Sequence, residues 1–336
     1  MALARYILRR LIFVVPQLLG ILMVGFFLVK LIPGDPAVLM LGPNATPESV
    51  AALRSSLGLD QSIVTQFGVY IGHVLRGDLG ISWQSTRPVL DDLLERFPAT
   101  LELVTLGLGF ALVIGVPLGI ASAAERSGPV RRAGDLYGLL AGAIPDFWLA
   151  LVMIYLFYSV LGIAPPPLGR MDIALSNPPF VTGSMIIDSL LAGDFEALRS
   201  VLSHLVLPVV TLGLINAGPI LKVTQSTMLR VQASDFIRYA ETCGLPRKVV
   251  RRQAIRASLP SIVTIVSVLY GFLIGGAVLV EIVFSWGGAG QYAVQAVLNA
   301  DINPVLGFVV FSAVFSLVVY LLVDLAYFML DPRTRG

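Results

Sequence analysis

The residues of this sequence that could do chemistry are a few acidic side chains in an otherwise apolar chain. Asp146, Glu281 and Asp324 each lie within or beside a long apolar stretch, where a carboxylate is a candidate proton-binding group. Asp146 directly follows Pro145, which favours a helix break near a membrane interface over a catalytic acid. A proton-coupled secondary transporter is one interpretation, but the sequence shows no convincing inverted repeat to support it.

The histidines and the cysteine offer little further chemistry. His73 and His204 are far apart and neither has a neighbouring cysteine, so metal catalysis has little support. His204 stands at the edge of an apolar stretch, and we expect it to be a hydrogen-bonded structural residue. Cys243 is the only cysteine in the chain, which excludes an intrachain disulfide.

Motifs for nucleotide binding and hydrolysis are absent from the sequence. It contains no GxxxxGK[ST] phosphate loop, no HExxH and no GxSxG, and no nucleophile and base constellation suggests a membrane enzyme. The formal net charge of +2 gives no electrostatic support for nucleic-acid binding. We therefore expect neither an enzyme nor a nucleic-acid partner.

The most cationic segment runs from residue 230 to residue 260, and its helix-capping and turn residues predict two short helices. Ser234 is a suitable N-cap with Asp235 in the first turn. Gly244 stands where a helix ends in a left-handed residue, and Pro246 is suited to the first position of a second helix. The segment is therefore predicted to be a helix, a glycine turn and another helix.

The first of these helices has an amphipathic pattern. Phe236, Ala240 and Cys243 recur at helical spacing beside Arg238 and Glu241. One interpretation is a basic loop that only sets membrane topology, and charge alone would satisfy it. The alternative is a docking element for another protein, and the capped helices favour that interpretation.

The rest of the chain has the composition of a polytopic membrane protein. It has 336 residues, of which 13% are charged, and a mean hydropathy of +0.86. Apolar stretches long enough to cross a bilayer predict six transmembrane helices. These spans are Leu11–Leu31, Leu101–Ala124, Leu136–Gly162, Leu205–Val223, Ile262–Phe284 and Val305–Phe328. The first is too long for a signal peptide and we expect it to be retained.

The segment between the first two spans is more polar. Thr46 and Pro47 predict the start of an amphipathic helix that ends before Gly58, and an apolar stripe from Ile63 to Val74 predicts a second. The residues that follow, 77–80, read as an ordinary tight turn. In the fifth span, three glycines predict a close approach by another helix; they are Gly271, Gly275 and Gly276.

The distribution of basic residues predicts the orientation of the spans. Sixteen of the 23 Lys and Arg residues fall in the N-terminal segment, the 125–135 loop, the 222–256 region and the C-terminal tail. The other seven are spread over much longer segments. By the positive-inside rule, both termini and the cationic helix pair are expected in the cytoplasm.

The cationic segment resembles the cytoplasmic "EAA" loop of bacterial ABC importer permeases. The resemblance rests on Arg238-Tyr239-Ala240, on Gly244 four residues after the alanine, and on Leu259-Pro260. In that family the loop forms a coupling helix that docks in a groove of the ATPase subunit. Arg238 and Tyr239 replace the first two letters of the motif, as is common in the dipeptide/oligopeptide branch.

Other blocks along nearly the whole chain resemble the same branch. They are ARYILRRL at the start, LIPGDPA after the first span, GLDQSIVTQFGVYIGHVLRGDLGIS, PATLEL at 98–103, VEIVFSW at 280–286 and VDLAYFMLDPRTR at 323–335. In this light residues 77–80 are a family hallmark and not only a turn. Gly287 occupies a position where the family favours proline.

The resemblance implies an all-α polytopic membrane protein of the type I ABC importer permease kind. Its parts would be an N-terminal tail with the first transmembrane helix (1–32), a small extracytoplasmic helical subdomain (33–98), and a core transmembrane domain (99–336) containing the coupling loop 230–260. The function implied is import of dipeptides or oligopeptides across the bacterial inner membrane, with nickel or glutathione as alternative cargoes of the same architecture.

The partners implied are a second homologous permease subunit, two cytoplasmic ABC ATPases, an extracytoplasmic peptide-binding protein and the lipid bilayer. ATP and Mg²⁺ are expected on the ATPases, and no cofactor or metal in this chain. The docking residues implied are Ser234, Asp235, Phe236, Arg238, Ala240, Glu241, Cys243, Gly244, Leu245, Pro246, Arg247 and Arg251. The Phe236, Ala240 and Cys243 stripe is expected to bury against the ATPase, beside the arginines.

Overall fold

The computed structural model describes residues 2–31, 35–42, 45–124 and 128–330, and within these ranges the fold is helical. The strand-like pairing found there is an isolated bridge between Ile81 and Pro88. The helices of the first half are α1 (Ala2–Lys30), α2 (Pro36–Leu41), α3 (Pro47–Ser56), α4 (Ile63–Leu75), α5 (Val89–Ala124), α6 (Pro129–Ala143) and α7 (Asp146–Met153), which continues as a π-helix through Val160. Those of the second half are α8 (Met185–Ala192), α9 (Phe195–Gln232), α10 (Asp235–Thr242), α11 (Arg247–Gly276), α12 (Val278–Val283), α13 (Ala289–Leu298) and α14 (Ile302–Leu330).

The spans predicted from hydropathy are present as helices. Five of the described helices are long and apolar enough to cross a membrane: α1, α5, α9, α11 and α14. The sixth predicted span is a pair, α6 and α7, bent by 101° at the break between them. Pro145 occupies the N-cap of α7 with Asp146 in its first turn, so the interruption predicted at these residues is confirmed.

The described residues form two compact units. The first contains residues 2–98 and Gly288–Leu322, and the second contains Ala99–Gly287 and Val323–Leu330. In the first unit, Phe26 and Val29 of α1 pack with Leu306 of α14. In the second, the core lies among α5, α7, α9, α11 and α12, and it includes the fully buried Trp286.

Glycines allow α5 and α9 to pack closely within the second unit. A Cβ added to Gly115 would lie 2.7 Å from the carbonyl oxygen of Ala217, and one added to Gly119 would lie 2.7 Å from the Thr224 Cβ. These distances are below van der Waals contact, so only glycine fits there. The close approach predicted for the fifth span is not made within this chain at Gly275, where an added Cβ meets nothing within 4 Å.

The two amphipathic helices predicted between the first spans are also confirmed. Thr46 and Ser49 form a capping box at the start of α3, with Pro47 at its first position. After α3 the chain turns at Gly58, whose φ is +64°. Ser62 caps α4 by accepting a hydrogen bond from the Thr65 backbone N–H.

Candidate functional site

The predicted cationic site is built around α10, a two-turn helix between two long ones. Gly244 follows α10 with a φ of +73°, the left-handed conformation expected for the residue after a helix. Its N–H donates to the Glu241 carbonyl, and the Leu245 N–H donates to the Ala240 carbonyl. The predicted glycine turn is therefore confirmed.

The predicted N-cap at Ser234 with Asp235 in the first turn is confirmed, but two details of the helix starts differ from the prediction. Ser234 is the N-cap residue of α10, but its side chain caps no N–H there; its hydroxyl donates to the Val231 carbonyl at the end of α9. Pro246 is the N-cap of α11 and Arg247 its first helical residue. Nor is α11 short: it runs for 30 residues, because the apolar fifth span continues the same helix past Pro260.

The helix α10 has two faces, and one of them is already used within this chain. Ile237 and Ala240 are 1% and 5% exposed. They pack with Ala123, Met228 and Val250, which come from α5, α9 and α11. The expectation that Ala240 contacts a partner is therefore wrong. The stripe of Phe236, Ala240 and Cys243 that spacing predicts thus combines two residues of the exposed face with one of the buried face.

The opposite face of α10 is exposed. Phe236 and Tyr239 are 49% and 72% exposed, and Cys243 lies on the surface one turn later. With Leu245 after the glycine turn, they form what we call the apolar patch: Phe236, Tyr239, Cys243 and Leu245. Aromatic residues exposed together on a short, braced helix are typical of a protein contact surface.

Charged residues border the apolar patch. Arg238 and Asp235 approach to 3.9 Å on the helix surface, and Glu241 is exposed nearby. Arg247 and Arg251 are exposed one turn apart on α11, beside the buried Val250 and Ala254. These residues give the surface a polar rim, which is the arrangement found around the apolar centre of many interfaces.

The other residues singled out in the sequence either have structural roles or lie outside the described residues. His204 is buried and its Nδ1 lies 2.8 Å from the Ser200 carbonyl, so the prediction of a hydrogen-bonded histidine is confirmed. Glu281 is fully buried and accepts a 2.6 Å hydrogen bond from Thr100. The side chain of Asp324 lies outside the described residues. Among those described, no three His, Cys, Asp or Glu residues are grouped so as to hold a metal ion.

Sequence reasoning missed a buried ion pair in the second unit. Arg170 Nη2 donates to Glu102 Oε2 at 3.1 Å, and the guanidinium also bonds the Gly183 carbonyl. It lies 5.9 Å from the Trp286 ring centroid, and the Trp286 indole N–H donates to the Ala99 carbonyl at 3.0 Å. Glu102 and Trp286 come from the PATLEL and VEIVFSW blocks, so two segments that carry the resemblance meet here in space.

The loop beside this pair is fixed by Asp188. Burial raises the pKa of the Asp188 carboxyl, but hydrogen bonds from the backbone and hydroxyl of Thr182 and from the backbone of Val181 and Gly183 outweigh it. The pKa of Asp188 therefore lies below its ordinary value. The carboxylate holds the loop at the start of α8 by accepting these bonds, at distances from 2.7 to 3.3 Å.

Residues 77–80 form a turn. Asp78 accepts from the Gly80 N–H at 2.9 Å and lies 2.7 Å from His73 Nδ1. These two hydrogen bonds, the Gly80 bond first, lower the pKa of Asp78. Gly287 has a φ of +72°. Proline cannot adopt that angle, so the turn in this chain requires a residue other than proline.

Within the described residues, five long apolar helices and one bent pair could each cross a membrane, which defines the class of polytopic membrane proteins. Family comparison makes the class specific. Residues 115–336 match the family of binding-protein-dependent transport system inner membrane components, and residues 3–104 match the N-terminal domain that accompanies it. This chain belongs to that family.

Relatives over nearly the full length are permeases of peptide transport. The chain is 40% identical over 315 residues to the probable D,D-dipeptide transport system permease protein DdpB of Escherichia coli K12, covering 94% of this chain and 92% of that one. It is 37% identical to the dipeptide transport system permease protein DppB of the same strain, covering 98% of each. It is 35% identical to the di/tripeptide transport system permease protein DppB of Pseudomonas aeruginosa UCBPP-PA14, covering 98% of each. The resemblance to the dipeptide/oligopeptide branch is confirmed.

Proposed function

We propose that this chain is the permease subunit of an ATP-driven importer that carries dipeptides or oligopeptides across the cytoplasmic membrane. The relatives named for peptide transport support the cargo. The observation that carries the coupling is the apolar patch on α10, which is exposed while the other face of the same helix is buried against three long helices.

In the proposed mechanism α10 transmits movement between subunits. The apolar patch packs into a groove of a cytoplasmic ATPase, with Arg238, Arg247 and Arg251 as polar contacts at its rim. Because Ile237 and Ala240 join α10 to the α5, α9 and α11 cluster, a force on the exposed face reaches three of the membrane helices directly. ATP-driven closure of the ATPases would then re-orient the spans, and ATP must stabilise one orientation more than the other.

The assembly proposed contains this chain, a second similar permease, two ATPases carrying ATP and Mg²⁺, and an extracytoplasmic peptide-binding protein. Both termini and the α10–α11 turn face the cytoplasm. Selectivity among peptides is assigned mainly to the binding protein.

The test is transport by the reconstituted assembly. Proteoliposomes containing the two permeases and the ATPases, with binding protein on the outside and ATP within, should take up a labelled dipeptide and hydrolyse ATP faster when peptide is present. Uptake that persists with a hydrolysis-dead ATPase but collapses with the proton gradient would contradict the proposal. Uptake of nickel or glutathione in place of peptides would correct the cargo and leave the coupling intact.

A further inference from the structure

A cavity of about 580 Å³ lies within the first unit and has no role in the proposed transport cycle. It is bounded by the last turns of α1, by α3 and α4 with the turn between them, and by the first turn of α14. Among its lining residues, those used below are Phe26, Val29, Lys30, Gln66, Tyr70 and Leu306. All of these residues belong to the same compact unit.

The lining changes from apolar to polar across the cavity. Phe26, Val29 and Leu306 belong to α1 and α14, within the stretches long and apolar enough to cross a membrane. Gln66 and Tyr70 belong to α4, which is too short to cross one. The cavity therefore lies at the level where a span meets the membrane surface. Its lining suits a molecule with an apolar part and a polar end.

Both carboxylates of the lining accept hydrogen bonds within the chain, whereas Lys30 has no carboxylate partner among the described residues. Asp78 is paired with His73 at 2.7 Å, and Asp301 accepts bonds from the Ser82 hydroxyl and the Gln84 N–H. The Lys30 ammonium donates to Gln66 Oε1 at 2.6 Å and lies 5.5 Å from the Phe26 ring centroid. Across the described ranges it has no carboxylate partner, so it offers its charge to an anion.

A buried hydroxyl points to the same conclusion. The ring of Tyr70 stacks on that of Phe26 at 5.6 Å between centroids, beside the ring of Phe67. The Tyr70 hydroxyl is buried, yet it has no hydrogen-bond partner among the residues described. Buried polar groups in proteins are nearly always bonded. This donor is therefore available to an acceptor that the described residues do not supply.

We propose that this cavity binds one anionic glycerophospholipid. The phosphodiester accepts from the Lys30 ammonium and the Tyr70 hydroxyl, and one acyl chain lies along Phe26, Val29 and Leu306. Every interaction is noncovalent. A peptide is disfavoured because the apolar lining residues Phe26, Val29 and Leu306 belong to the membrane spans, at the depth of lipid acyl chains. A hydrophilic peptide would instead reach the protein through water.

The test uses the assembled transporter extracted in mild detergent, with bound lipids counted by native mass spectrometry during titration with palmitoyl-oleoyl phosphatidylglycerol. The wild type should retain one lipid more tightly than the rest. Lys30→Gln should weaken that site about five- to tenfold, since one basic residue and one hydrogen bond are lost. Tyr70→Phe should weaken it about threefold or more.

Three controls make the result decisive. Lys248→Gln removes an exposed lysine of α11 far along the chain and should leave the tight site unchanged. Tyr70→Phe should not lower the melting temperature of lipid-stripped protein, because its hydroxyl makes no bond within the described chain. Glycerophosphate, which has the headgroup without acyl chains, should fail to displace the lipid.

Three results would overturn the proposal. They are the absence of a tight lipid, equal losses in the Lys30 and Lys248 variants, and displacement of the lipid by a dipeptide at concentrations near the transport KM. The last result would reassign the cavity to peptide. A failure of peptide uptake in the reconstituted system would leave the lipid count unaffected, so the two proposals can fail separately.

Discussion

Replacement of Gly244 tests whether the turn after α10 positions the apolar patch for the ATPase. The residue has a φ of +73°, and a Cβ added there would meet no atom within 4 Å. A substitution therefore acts through backbone strain and not through a collision. The left-handed conformation costs a residue other than glycine about 1–2 kcal/mol, and this is the free energy by which Gly244→Ala should destabilise the native turn.

The strain limits the expected effect on docking. A cost of about 1–2 kcal/mol can lower the apparent affinity of the ATPase by at most about 5- to 30-fold, through the smaller population of the competent turn. Gly244→Asn should cost less, because asparagine tolerates the left-handed region. Gly244→Val should cost more, because a β-branched residue is a severe outlier there.

The assay is the affinity of the purified permease pair for the ATPases, measured by a binding titration in detergent. Gly162→Ala is the matched control, because Gly162 has a φ of +63° and equal space around it but lies outside the α10–α11 turn. It should cost similar stability and leave the affinity unchanged. Equal loss of affinity in the two alanine variants, or no graded order among asparagine, alanine and valine, would refute the reasoning.

Three further predictions follow from the packing. Ile237→Ala should lower the free energy of unfolding by about 2–4 kcal/mol through a cavity, whereas Tyr239→Ala should leave the melting temperature unchanged and weaken ATPase binding; the opposite pattern would show that the two faces of α10 are wrongly assigned. Removing one member of the buried pair, by Arg170→Met or Glu102→Gln, should destabilise the permease by about 3–5 kcal/mol, and the double variant should lose much less than the sum of the two in thermal denaturation; additive losses would contradict the pairing. The stabilisation from Asp188 should be present above pH 4 and be lost as the pH falls through its lowered pKa, so Asp188→Asn should flatten the acid limb of a stability curve; an unchanged limb would exclude this carboxylate.

The sequence predicted the parts of the fold that depend on local pattern. Apolar length located the spans, Thr46 with Pro47 located the start of α3, and Gly244 located the turn after α10. These signals are local because capping and left-handed residues act on their own neighbours.

The rest depends on contacts between distant residues. Spacing alone assigned Ala240 to the partner side, but the buried face of α10 is set by its packing against Ala123, which lies on α5 far away in the chain, and against Met228 of the preceding helix α9. Likewise, the pair of Glu102 and Arg170 brings together residues 68 positions apart, and neither one signals the other. The sequence signal for this region was the family resemblance of the blocks PATLEL and VEIVFSW, which contain Glu102 and Trp286.

The most direct test of the coupling claim uses Cys243, the only cysteine in the chain and exposed beside the apolar patch. A thiol-linked photocrosslinker attached there in the assembled transporter should yield, on illumination, a covalent product of this chain with the ATPase subunit. Cys243→Ser should abolish that product without changing the complex. An intact complex that gives no ATPase adduct from Cys243 would contradict the account of α10 as the coupling surface.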